Sequence, residues 1–197
     1  VRGKYNLKDI KKYQGDYSEA MIEAVMQNSE IIPIAAKAYV EKCQDRHTLI
    51  YCVTKRICYL LEGTIKKLLP PEKQETICVL TGTTPSEKRK QILQDFSSGK
   101  IKCIINCMVL TEGTDLPICD TIMNLRPTCN MTLYQQMVGR GTRLYDGKEY
   151  CLIIDIVPDD MSMERNLCLA PSLLGVDPIL LTESQRRRFN RHNDLLI

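Results

Sequence analysis

The part of this sequence best equipped for chemistry is Gln135-Gln136-Met137-Val138-Gly139-Arg140-Gly141-Thr142-Arg143. Gln136, Arg140 and Arg143 stand three or four residues apart, so in a helical turn they share a face. Gly139 and Gly141 keep that face slim and allow a neighbour to come close. Two guanidiniums on a slim surface suit an oxyanion, and their planar forks bind phosphate with direction. This is the equipment of an arginine finger, which meets charge developing on a transferring phosphoryl group. The plainer use of the same residues is a solvated basic helix end that satisfies terminal carbonyls. A second cluster, Leu110-Thr111-Glu112-Gly113-Thr114-Asp115-Leu116-Pro117, lies on a loop after an apolar run.

Other chemistries lack their parts. No GxxxxGK followed by Ser or Thr is present, since Gly99-Lys100 runs into Ile101 and Gly147-Lys148 into Glu149. No Asp-Glu dipeptide ends a strand, so the magnesium-binding acidic box is missing too. Neither the GxGxxG dinucleotide fingerprint nor a GxSxG nucleophile elbow occurs. The ten cysteines form no CxxC pair, and His47 and His192 are the only histidines, so no metal-binding residue is assigned. Cys52, Cys78, Cys103 and Cys151 fall inside apolar runs, which reads as reduced, buried thiols in a cytoplasmic protein.

The elements that must position the two clusters follow a regular rhythm. Ser18 caps a helix over 18–28, and a second begins near Ile32 with Pro33 tolerated in its first turn. Strands are predicted over 48–53, 76–80, 102–106, 121–124 and 150–156, each a short apolar run. Between them, Thr54 caps a helix running to Leu69. Thr84-Pro85-Ser86-Glu87 predicts a capping box that starts another, and a third covers 132–138. Apolar strands alternating with amphipathic helices imply a parallel sheet with helices on both faces. Working residues in such folds gather at the carboxyl ends of the strands.

Length and composition fit that plan. The chain has 197 residues, 44% hydrophobic and 26% charged, enough for one core and unlike a disordered chain. The net charge of +3 is compatible with nucleic acid without pointing to it. No apolar run reaches the roughly 18–20 residues of a membrane span, and the start Val1-Arg2-Gly3-Lys4 is no signal peptide, so no membrane partner is expected.

Taken together, the clusters resemble the second RecA-like domain of superfamily-two helicases and translocases. Gln136-x-x-Gly139-Arg140-x-x-Arg143 resembles their motif VI, Thr111-Glu112-Gly113-Thr114-Asp115 their motif V, and Thr48 to Thr54 their motif IV. The Gly82 loop and Arg89 resemble the stretch that touches the nucleic-acid backbone. Leu125-Arg126-Pro127-Thr128, leading into Tyr134-Gln135-Gln136, resembles a bacterial and phage subgroup related to repair helicases and restriction translocases. The resemblance covers roughly residues 5–157 and implies an α/β fold, a RecA-like three-layer domain with a mostly parallel sheet of five or six strands.

The resemblance also implies roles. Arg140 and Arg143 reach the γ-phosphate of ATP, and Gln136 hydrogen-bonds beside it and couples the domains. Gly113 and Asp115 lie at the ribose and the interdomain cleft. Thr54, Gly82, Thr83, Arg89 and Thr111 lie along one nucleic-acid strand, expected to be DNA. Contacts to backbone rather than bases suit a motor that ignores sequence. ATP and magnesium are expected to be held mainly by an N-terminal RecA-like domain of the same protein, so this chain alone is expected to be inactive. The position where many members carry a phosphate-contacting Thr or Ser is Cys107, a weak donor, with Asn106 or Thr111 as substitutes.

Each residue has a plainer use beside the implied one. Asp115 can cap the following turn, Thr54 and Thr83 can cap helices, and Arg89 can be a solvated charge. The expected layout is an N-terminal lead-in and helices over 1–45, the RecA-like domain over 46–157 and an extension over 158–197. The extension carries apolar patches at 169–175 and 179–181, then four arginines within 186–192, read as a solvated helix face or a nucleic-acid contact. The rival reading is a non-catalytic nucleic-acid or partner-binding module. A free-standing transferase lacks both a phosphate loop and a recognisable general base.

Overall fold

The structure is a computed structural model, described here for residues 1–175 apart from 4, 8, 9, 14, 111–114 and 159–166. In chain order the elements are β1 (Arg2–Gly3), β2 (Lys12–Tyr13), β3 (Asp16–Tyr17), α1 (Glu19–Gln27), α2 (Ile31–Lys42), β4 (Thr48–Cys52), α3 (Lys55–Leu68) and α4 (Pro71–Gln74). There follow β5 (Ile77–Leu80), α5 (Ser86–Ser97), β6 (Cys103–Asn106), β7 (Thr121–Leu125), α6 (Met131–Gly139), β8 (Leu152–Asp155), β9 (Val157–Pro158) and a 3-10 turn (Ala170–Leu174).

Five strands form one parallel sheet in the order β5-β6-β4-β7-β8. Every residue of central β4 is buried, as a strand covered on both faces must be. Alternate residues supply the two faces. Ile50 and Cys52 point into a core shared with α1, α2 and α3, whereas Leu49 and Tyr51 face α5 and α6. The RecA-like three-layer arrangement is therefore present. None of the helices among the described residues is long and apolar enough to cross a membrane.

Three local expectations need correction. The first 17 residues are more than a lead-in. Tyr5, Leu7, Ile10 and Tyr17 are buried in the core beside α1 to α3, and β2 and β3 form a hairpin turning at Gly15, whose φ is +86°. Burial of these scattered apolar side chains ties the segment down. The capping box at Thr84 does not form. Pro85, with ψ at 146°, is itself the N-cap of α5, so Glu87 sits one position too early to close a box. The Thr84 hydroxyl instead accepts the Thr81 N–H at 3.0 Å, closing a tight turn. Ser18 stands at the N-cap of α1, yet its hydroxyl makes no cap bond there. Thr54 does cap α3, accepting the Ile57 N–H at 3.4 Å.

Candidate nucleotide and nucleic-acid rim

The arginine cluster is built by α6. Asn130 caps its start, accepting the Leu133 N–H at 3.1 Å, and Tyr134, Met137 and Val138 bury its inner face. The helix ends at Gly139, and Arg140 is its C-cap. The chain then turns, with the Gly141 N–H donating to Val138 O at 2.9 Å. Arg143 therefore stands beyond the helix and does not share a helical face with half-buried Gln136 and Arg140, a correction to the spacing argument. The two glycines also differ. A β-carbon on Gly139 would meet nothing within 4 Å, whereas one on Gly141 would lie 2.5 Å from Cys151 Sγ and 2.7 Å from Ile122 Cγ1. Only Gly141 is required by close packing, which presses the turn onto β7 and the residue before β8.

Asp115 and Arg143 form an ion pair across 28 residues of chain, bringing the two clusters together. Their side chains are 77% and 38% exposed, and pairs so open to water are worth about 0–1 kcal/mol. The pair can therefore open toward a phosphate at little cost. Lys148 braces the turn, its Nζ donating to Arg143 O at 2.6 Å and to Pro117 O at 3.3 Å. Tyr51, from β4, joins from beneath, its hydroxyl donating to Leu110 O at 3.1 Å. Burial raises the Tyr51 phenol above its ordinary range, and the Arg140 charge opposes the shift. Arg140 is thus an electrostatic neighbour of Tyr51. Thr111 and Gly113 lie outside the described residues.

A buried carboxylate anchors α6 from its inner side. Asp155, at the end of β8, accepts the Tyr134 hydroxyl at 2.9 Å, Asn124 Nδ2 at 2.8 Å and the Ala170 N–H at 3.0 Å. Burial pushes its carboxyl upward, and these three donors hold it down. The apolar run ending in Asp155 was visible in the sequence, but nothing local marked its partner Tyr134.

Other candidates lie at the carboxyl ends of three strands. Thr54 follows β4 and Cys107 follows β6, while Gly82 and Thr83 follow β5, and these three strands are neighbours in the sheet. Gly82 and Thr83 are exposed, and the Thr83 and Thr81 hydroxyls lie 3.0 Å apart in one hydrogen bond. Arg89 is half-buried and turned back, Nη2 donating to Thr81 O at 3.4 Å, so it is not a freely solvated charge. Cys107 donates its thiol to Val53 O at 3.2 Å, and burial pushes that thiol up to about 11. Asn106 is fully buried and donates to Ile50 O at 3.0 Å, so it cannot replace a missing phosphate contact. Met108, next along, holds a left-handed φ of 53°, unusual for a residue with a side chain.

This donor set suits a phosphate chain approached from the arginine side. Among the described residues no group of three or more His, Cys, Asp or Glu is arranged to hold a metal ion. The arginine runs at 186–192 and the apolar patch at 179–181 lie outside the described residues, and all ten cysteines are free thiols.

Known proteins resemble this chain in sequence and fold. The family described as the helicase conserved C-terminal domain matches residues 30–145. A Saccharomyces cerevisiae protein named as an ATP-dependent helicase, IRC3, is 34% identical over 179 residues, covering 89% of this chain and 25% of its own length. The EcoKI type I restriction endonuclease subunit of Escherichia coli is 29% identical over 113 residues, 54% of this chain and 10% of its own. The C-terminal domain of the DEAD-box protein Dbp5 superposes with a TM-score of 0.56 at 21% identity, covering 68% of this chain and 73% of that one. The chain thus spans about a quarter of the IRC3 relative. With that family model over residues 30–145 on a RecA-like parallel sheet, it belongs to the helicase conserved C-terminal domain family.

Proposed function

We propose that this chain is the C-terminal motor domain of a longer ATP-dependent helicase or translocase that moves along nucleic acid. The observation that carries the reading is the Asp115–Arg143 ion pair, which joins the two clusters just beyond Arg140 at the end of α6. ATP, bound with magnesium mainly by an N-terminal RecA-like domain of the same protein, supplies the phosphoryl group. Arg140 and Arg143 present positive charge where negative charge grows during hydrolysis, and Gln136 lies beside them. Asp115 orients Arg143 until a phosphate competes for it, and Gly113 and Asp115 border the ribose. Thr54, Gly82, Thr83, Arg89 and Thr111 follow the backbone of one strand. We favour DNA, because Leu125-Arg126-Pro127-Thr128 resembles the repair and restriction enzymes. Residues 46–157 are read as the motor domain, 1–45 as a segment packed on it, and 158–197 as an extension. The free thiols suit a reducing compartment, the cytoplasm in this reading.

The test is Arg140→Ala in the full-length protein. Hydrolysis should fall by about 1000-fold or more with ATP binding kept, and the isolated chain should hydrolyse no ATP. Normal turnover by the variant, or robust hydrolysis by this chain alone, would contradict the reading. Stimulation by DNA rather than RNA checks the substrate.

A further inference from the structure

The segment before the motor domain ties down the start of the arginine-bearing helix through one carboxylate. Asp16 sits in the hairpin strand β3, far in sequence from α6. Its Oδ2 accepts the Thr128 hydroxyl at 2.5 Å, and its Oδ1 accepts the Cys129 N–H at 2.8 Å. Both partners belong to the loop joining β7 to α6. Thr128 is 1% exposed, and its hydroxyl oxygen also accepts the Asn130 N–H at 3.0 Å. Asn130 in turn caps α6. A second tie runs from the same N-terminal segment, where Glu19 of α1 pairs with Arg126 Nη2 at 2.8 Å. The Thr128 carbonyl, finally, accepts the Cys168 N–H at 2.9 Å.

These bonds form a chain of contacts from Asp16 through Thr128 to the Asn130 cap, and along α6 to Arg140 at its other end. A carboxylate accepting from two donors fixes both the direction and the position of a loop in a way that apolar packing does not. The loop 126–130 has no regular structure of its own, so the helix start depends on what holds it. Buried Asp155 anchors the middle of α6 through Tyr134, but nothing in that contact sets where the helix begins.

We propose that Asp16 is a positioning residue for the arginine site: its carboxylate, through Thr128 and Cys129, sets the start of α6 and with it the reach of Arg140. The inference rests on the proposed role of the arginines. Misplacing a group by about 1 Å can cost up to about 100-fold in rate. A clamp of this kind therefore acts on turnover more than on affinity for ATP.

The experiment compares Asp16→Ala, Asp16→Asn and Thr128→Val in the full-length protein with Arg140→Ala. Three quantities are read: kcat and KM for ATP, the melting temperature, and amide hydrogen exchange along 131–139. Asp16→Ala and Thr128→Val should speed exchange across the first turns of α6 while leaving β4 protected. They should lower kcat by about 10-fold to 100-fold, with KM changed less than about twofold. Asp16→Asn, which keeps one acceptor and gains a donor that Thr128 Oγ can accept, should recover most of the loss. Unchanged exchange in α6 overturns the clamp, whatever the arginines do. Fast exchange in α6 with wild-type kcat shows the clamp is structural only and overturns the positioning role. Should Asp16→Ala fail to fold, Thr128→Val and Asp16→Asn decide on the same readouts. A normal Arg140→Ala rate places the failure in the reading of the arginines, which the exchange data separate from failure of the clamp.

Discussion

The arginine-bearing helix with its turn and the loop after β5 are held by different kinds of bond. Around the arginine-bearing helix, Asp115 pairs with Arg143, Tyr51 with Leu110 and Tyr134 with Asp155, all between residues at least 21 positions apart. In the loop after β5, the bonds are local, with Thr81, Thr83, Thr84 and Arg89 all within eight residues of one another. A turn stitched by its own neighbours holds its shape alone but can shift as a unit. A turn stitched to distant strands inherits their rigidity. The difference suits the roles proposed above, one part placing charge accurately and the other letting a polymer slide past.

The glycines offer the most forceful way to break this comparison. Gly141→Ala should cost about 1–3 kcal/mol, because the new methyl runs into Cys151 and Ile122 in a packed layer. Gly82→Ala, with nothing within 4 Å of its β-carbon, should change stability by less than about 0.5 kcal/mol. Thermal or urea unfolding of the two variants in parallel reads the contrast, and equal costs would erase it.

A smaller effect is expected from Arg89→Ala. Its bond to Thr81 O is long and partly wet, so the fold should hold. Nucleic-acid affinity should fall across all sequences alike, and the slope of log affinity against log salt should flatten by about 1. An unchanged slope would remove Arg89 from the interface.

The smallest effect concerns the amino-terminal edge of the sheet. Burial, helped by the Lys102 charge 3.3 Å away, holds the His47 imidazole below its ordinary range. The folded protein thus prefers His47 neutral. The stability this gives is present above about pH 6.5, the ordinary imidazole value, and is lost as pH falls through the lowered folded value. His47→Gln should flatten that acid-side decline, and titrating the melting temperature of both forms between pH 7 and pH 4 checks it. An equally steep decline in the variant would discard the assignment.

How much of this was legible in the sequence follows the same division. The strands, the Thr54 cap and the three-layer fold were readable because hydrophobic period and local capping chemistry act over a few residues. The resemblance of motifs V and VI marked the arginine cluster, but spacing alone misled about its geometry. Gly139 ends the helix, so Arg143 finds Asp115 from a turn rather than from a helical face. Thr84 was misjudged because two local rules competed there. A Thr before Pro can cap a helix or close a turn, and the extended ψ of Pro85 decided for the turn. Asp16, Asp155 and Tyr51 left no local signal, since their partners lie far along the chain and only folding brings them together.

The central claim is that Arg140 stabilises charge that appears during phosphoryl transfer rather than charge already present in ATP. The most direct test measures how tightly the full-length protein binds ADP with aluminium fluoride, a mimic of the transferring phosphoryl group, relative to ADP alone. The wild type should prefer the mimic strongly, and Arg140→Ala should lose most of that preference while binding ADP unchanged. An undiminished preference in Arg140→Ala would contradict the account.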